Sequence, residues 1–122
     1  MGRPAAVSLA ASVAFALLAG AAGSACRQGD VAGGRADGAA IFGEICARCH
    51  GPDGVPDAAS AARIGVKPLV SDRVQRQMSD AQIRRQILQG SSNKQMPSFE
   101  GALSDPQIDA VIAHVRTLRR RR

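Results

Sequence analysis

The 122-residue chain has no tyrosine and no tryptophan, and its three phenylalanines are Phe15, Phe42 and Phe99. Only Phe42 and Phe99 lie beyond the first 25 residues, so an aromatic-rich core is excluded. A domain this small buries a modest share of its surface, and natural small domains make up the deficit with disulfides, a metal or a cofactor. Disulfides do not supply a framework here, because there are only three cysteines, Cys26, Cys46 and Cys49. Zinc fits poorly, since the only histidine outside the cysteine cluster at 46–50 is His114. No segment alternates apolar and polar residues as a half-buried strand does. Nucleic acid is not an expected partner despite a net charge of +6, because the basic residues are not interleaved with aromatics. What remains is a helical domain built around a large apolar cofactor.

Long apolar runs are confined to the start. Arg3 is followed by "PAAVSLAASVAFALLAGAAGSA", a basic start, an apolar stretch and a small-residue end. This pattern predicts a secretory signal over residues 1–25. The run from Ala5 to Leu18 is shorter than the roughly 20 apolar residues of a spanning helix. Residues 26–36 are polar and glycine-rich and predict a flexible linker, with a reach on the order of 15–20 Å. The compact domain is expected over 37–118, and Arg119 to Arg122 form a basic tail.

Within that domain Asp37 can N-cap a helix through "GAAIFGEICARC", with Ile41, Phe42 and Ile45 facing inward. Two similar segments follow, "MSDAQI" at 78–83 and "LSDPQI" at 103–108. Local helix chemistry explains them better than a repeat does. Ser79 and Ser104 are N-caps, and Gln82 and Gln107 complete capping boxes. Met78 with Ile83, and Leu103 with Ile108, are hydrophobic staples. The first of these helices carries Ile83, Ile87 and Leu88 and stops at Gly90. The second carries Ile108, Val111, Ile112, Val115 and Leu118 at helical period. The stretch 51–77 is rich in glycine and proline and reads as irregular, as does "SSNKQMPSFEGA". The fold class is therefore all-α, three main helices joined by long loops, and loops of that length need something to wrap.

The segment "EICARCHGPDG" at 44–54 names it. C-x-x-C-H is the attachment pattern of c-type haem. Two thiols add across the two vinyl groups of one porphyrin, and the next residue can place an imidazole on the iron. Cys46 and Cys49 are thus the expected tethers of one covalently bound haem c, and His50 the expected proximal ligand. A thioredoxin-like redox pair would want a βαβ context, which is absent. For the sixth position the candidates are Met78, Met96, His114 and an open site. Met78 has a staple to form, and His114 lies beside the apolar stripe of the last helix as an ordinary packed residue. Met96 sits in a polar loop beside Pro97 with no helical stripe to explain it, so a thioether ligand is its best reading.

These residues resemble a class I c-type cytochrome of the small monohaem bacterial kind, over about residues 37–118. "IFGEICARCHG" resembles that family's N-terminal helix and haem site. "KPL" at 67–69 resembles its loop in which a proline carbonyl, here of Pro68, accepts from the proximal histidine while the next residue, Leu69, covers the haem. "QMPSF" resembles the axial-methionine loop, and "LSDPQIDAVIAHVRTL" the C-terminal helix that crosses the N-terminal one. The resemblance implies an aromatic residue where His114 stands, and His114 is expected to fill that space against Gly38 and Phe42.

Such a site shuttles single electrons, on the high-potential side of the haem range if a methionine is the sixth ligand. The expected partners are a redox donor and acceptor of unidentified nature. Two other classes stay open, a haem subunit of a larger oxidoreductase and a ligand-binding sensor or peroxidase. The RRRR tail reads first as solvated charge that suits the end of the last helix, and second as attraction to anionic lipid or an acidic partner.

Cys26 needs its own reason. Lipid attachment after cleavage before Cys26 fits its position and the glycine-rich linker that follows, and multiple acyl chains would anchor the domain firmly. Gly23 stands where a large aliphatic is usual, and an ordinary cut after Ala25 fits the small residues equally. The localisation expected is exported, in the periplasm, with lipid anchoring at Cys26 as the favoured form. Mass spectrometry of the N-terminal peptide from membranes is expected to show an acylated Cys26. An unmodified N-terminus in the soluble periplasmic fraction would refute it.

Overall fold

The computed structural model describes Gly2 and residues 30–118. The signal segment, Cys26 and Arg119 to Arg122 lie outside the described residues, save Gly2. The described residues form helices and no strand: α1 (Gly38–Ile41), α2 (Ala47–His50), α3 (Ala58–Ile64), α4 (Asp80–Gln89) and α5 (Asp105–Thr117). A wider π-type turn, Phe42–Cys46, joins α1 to α2 in one continuous helix, and a second, Arg73–Gln77, precedes α4.

The helix starts follow from the sequence. Asp37 accepts from the Ala39 and Ala40 N–H groups at 3.0 and 3.1 Å. Ser79 accepts from the Gln82 N–H, and the Gln82 carboxamide oxygen accepts from the Ser79 N–H at 2.7 Å, a complete capping box. Gln107 returns the same bond to the Ser104 N–H at 2.8 Å. Capping satisfies amides that have no partner inside the helix.

Stretch 51–77 is more ordered than its glycines and prolines imply. Asp57 accepts from both the N–H and the hydroxyl of Ser60, starting α3 over an alanine-rich run, and Gly65 ends it in the left-handed region at φ 68°. The expectation of an irregular segment missed this helix because its apolar face is too short to show a period.

The linker boundary is also corrected. Ala32, inside the expected flexible segment, is 2% exposed and belongs to the core. The Val31 N–H donates to the Ala102 carbonyl at 3.0 Å, and Gln107 donates to Asp30 at 2.9 Å. Asp30 also accepts from the Ala32 and Gly34 N–H groups, folding its own loop. The packed chain therefore includes residues 30–36. A two-residue seam of this kind leaves no periodic signal.

Ile41 and Phe42, Ile83 and Ile87, and Leu103, Ile108, Val111, Ile112 and Val115 form one apolar core. Its tightest point is the crossing of α1 and α5. A Cβ on Gly38 would lie 1.9 Å from the Ala110 carbonyl oxygen, so only glycine allows the two backbones to approach this closely. Next to the crossing, the rings of Phe42 and His114 stack with centroids 5.0 Å apart at 50°. His114 thus fills the aromatic space as expected.

Gly38→Ala is expected to lower the stability of the haem-loaded protein in urea by about 1–3 kcal/mol, the usual range for overpacking. Gly43 offers the internal control. A Cβ there meets nothing within 4 Å, and Gly43→Ala should raise stability by roughly 0.5–1 kcal/mol by removing unfolded-state freedom. Equal midpoints for the two variants would refute the close-packed crossing.

Candidate haem site

The cysteine motif straddles the change from π-type turn to α-helix. Ala47 donates to the Phe42 carbonyl, and the wider turn, a form frequent at functional sites, ends at Cys46. Cys46 is half-buried, Cys49 is exposed, and both are free thiols. Burial pushes the Cys46 thiol up to about 11, so the protonated thiol is held and thiolate redox chemistry is disfavoured. His50 ends α2. Burial lowers its pKa from the ordinary histidine value, which keeps the imidazole neutral and able to ligate a metal.

Directly after His50 the chain reverses. Gly51 has φ 75°, and a Cβ there would lie 2.0 Å from the Val55 carbonyl oxygen. The Gly54 N–H closes the turn on the Gly51 carbonyl at 3.1 Å, and the Leu69 N–H donates to the Gly54 carbonyl at 2.8 Å. A Cβ on Gly54 would meet Leu118 Cδ1 at 2.9 Å and Leu69 Cβ at 3.3 Å. The fold thus brings Pro68 and Leu69 beside the turn that follows His50, which their separation in sequence does not show.

The expected hydrogen bond from His50 to the Pro68 carbonyl is not formed. Pro68 accepts from the Ser71 N–H at 3.2 Å instead, and His50 Nδ1 is buried with no hydrogen-bond partner among the described residues. A buried polar atom without a partner is costly.

Met96 is presented by a laced loop. Its N–H donates to the Ser91 hydroxyl at 2.9 Å, and its carbonyl accepts from the Ser91 N–H at 3.0 Å. The loop leaves α4 through Gly90, whose Cβ, if present, would lie 2.5 Å from the Met96 carbonyl oxygen. The Phe99 N–H then returns to the Ile87 carbonyl at 3.1 Å. The Met96 side chain is half-buried against the core, its sulfur 3.9 Å from the Gln86 amide nitrogen. Met78 is also half-buried, and its backbone is fixed at the entry to α4, donating to the Arg73 carbonyl at 2.9 Å.

The residues fit a covalently held haem. Two free thiols three positions apart precede a neutral imidazole. Ile45, Leu69, Val74, Met78, Leu88, Met96, Phe99 and Leu118 are apolar side chains that touch the core yet stay only partly buried. Together they offer apolar surface that a large flat ring can cover. No three of His, Cys, Asp and Glu come together as a metal site among the described residues. Two polar residues escaped the sequence reading. Gln75 and Arg116 bond chiefly to backbone carbonyls, and such pairings carry no motif.

An all-helical fold with these thiols and this imidazole at the end of its first helix defines a c-type cytochrome. The model of the family described as cytochrome C oxidase, cbb3-type, subunit III matches residues 34–115, and the chain belongs to that family. A solved structure, the c-type cytochrome KustC0563, is similar at 27% identity and a TM-score of 0.62, with 69% of this chain and 99% of that chain covered. Membership implies covalently bound haem c and haem-based electron transfer.

Acid denaturation followed by extraction with organic solvent should leave the haem on the polypeptide. A Cys46→Ser, Cys49→Ser double variant should release or never acquire it. Haem leaving the wild-type chain would refute the assignment.

Proposed function

We propose that the protein is a monohaem c-type cytochrome that passes single electrons between redox partners outside the cytoplasm, with His50 and Met96 as the residues that would hold the haem iron. The observation that carries this reading is the neutral His50 directly after the free Cys46 and Cys49 pair, with Met96 presented from a braced loop. The chain has three cysteines, and with Cys46 and Cys49 in one attachment motif Cys26 alone cannot form a second of the same kind.

When bound, the haem supplies a one-electron ferric/ferrous couple. The chain's own residues set its conditions. Cys46 and Cys49 tether it. His50 gives an imidazole that burial keeps unprotonated. Met96 gives a thioether, which favours the ferrous state and raises the potential. Half-buried apolar side chains such as Leu69, Val74 and Phe99 pack against the core and would help to keep water from the ring. Ligands held by short bonded loops move little when the charge changes, as rapid electron transfer requires.

A second reading, a haem subunit of a larger oxidoreductase, is favoured by the description of the matching family. Purification under mild detergent separates the two: a carrier travels alone and a subunit travels with partners. Export is in keeping with the family, and no helix among the described residues is long and apolar enough to cross a membrane. Anchoring through Cys26, or attraction of Arg119 to Arg122 to anionic lipid, is the proposed route to a membrane surface.

Met96→Ala should abolish the far-red methionine–iron band of the ferric protein and admit external ligands. Met78→Ala should leave the band in place. An unchanged spectrum in the Met96 variant would overturn the ligand assignment and favour a site open to small ligands.

A further inference from the structure

The π-type turn Arg73–Gln77 is tied down by two side chains. Gln75, half-buried, donates from Nε2 to the Leu69 carbonyl at 2.8 Å and to the Val115 carbonyl at 3.0 Å. Both hydrogens of its amide are thereby used. The Leu69 N–H donates to the Gly54 carbonyl, the Gly54 N–H to the Gly51 carbonyl, and the Gly51 N–H to the Ala47 carbonyl, at 2.8, 3.1 and 2.9 Å. An unbroken run of hydrogen bonds therefore leads from α5, through Gln75 and Leu69, to the residues flanking Cys49 and His50.

Arg116 fixes the turn that carries Gln75. Its guanidinium donates to the carbonyls of Val74, Gln75 and Met78 at 2.6, 3.2 and 2.7 Å, and its Nε donates to Asp80 at 2.8 Å. A rigid fork of donors suits this task, where a lysine ammonium would not hold the same directions. The Arg116 side chain is 27% exposed, so its bonds are only partly open to competition from water.

We propose that Gln75, supported by Arg116, is a positioning residue for the proximal side of the haem. It holds Pro68 and Leu69 against the Gly51–Gly54 turn, and so fixes the end of α2 at His50 and keeps water from that side. The proposal rests on the haem being held at Cys46, Cys49 and His50. Replacing the Gln75 amide by an apolar group of the same length leaves the Leu69 carbonyl without that donor. A part-buried carbonyl in that state draws in water or moves toward it. Water near the ring stabilises the ferric charge, so the potential should fall.

The test compares haem-loaded wild type with Gln75→Met, Gln75→Asn and Gln77→Met. Asparagine keeps the amide but is one methylene too short to reach both carbonyls. Gln77 is an exposed residue on the same turn and serves as the control. Haem staining of the denatured wild type comes first, and absence of covalent haem there would overturn the site and this proposal together. With haem present, both Gln75 variants should show a lower midpoint potential and altered g values in the ferric electron paramagnetic resonance spectrum. Gln77→Met should match wild type in both. If Gln75→Met yields no loaded protein, Gln75→Asn decides. Gln75 variants that keep the wild-type potential and spectrum would overturn the proposal alone, even if they melt at lower temperature.

Discussion

The contact between α1 and α5 at Gly38 and Ala110 governs where everything else can sit. Because no side chain intervenes, the two backbones meet, and the side chains on either side of the crossing interdigitate. Ile41 and Phe42 enter the core from one helix, and Ile108, Val111, Ile112 and Val115 from the other. The same helix that is clamped here continues through the π-type turn into the cysteine motif. The position of the haem attachment point is thus set by a crossing at the opposite end of its own helix. Phe42 lies on both sides of this link, stacked on His114 and opening the turn that ends at Cys46.

The core alone is small and almost without aromatics, and half-buried apolar side chains pack against it. Burying apolar surface is worth about 25 cal/mol per Å², so covering these side chains with a large flat cofactor adds to stability as well as function. In a family of c-type cytochromes the same group that carries the electron completes the core. The low aromatic content of the chain and its haem motif are therefore two sides of one constraint.

The loops around the site are held by side chains bonded to backbone. Ser91 closes the Met96 loop, Gln75 ties Leu69 to α5, and Arg116 fixes the turn before α4. Arg84 reaches from α4 to Asp105 and Asp109 on α5, so the two long helices are joined at their polar edges too. Exposed ion pairs contribute little individually, and their part here is to orient helices whose apolar faces already meet.

The haem-attachment pattern and the helix starts were legible in the sequence by itself. Cys46, Cys49 and His50 are adjacent in the chain, and Asp37, Ser79, Gln82 and Gln107 act within one helical turn, so spacing alone reveals them. The apolar period of α5 was legible for the same reason, as was the special surrounding of Met96. The tertiary structure decided what depends on residues far apart. It placed Leu69 beside the turn at Gly54, showed the Pro68 carbonyl accepting from Ser71 and His50 Nδ1 without a hydrogen-bond partner among the described residues, and drew residues 30–36 into the packed domain. It also gave Gln75 and Arg116 their partners. A backbone carbonyl looks the same at every position in a sequence, so a side chain that bonds to distant carbonyls has no partner to be read until the chain has folded.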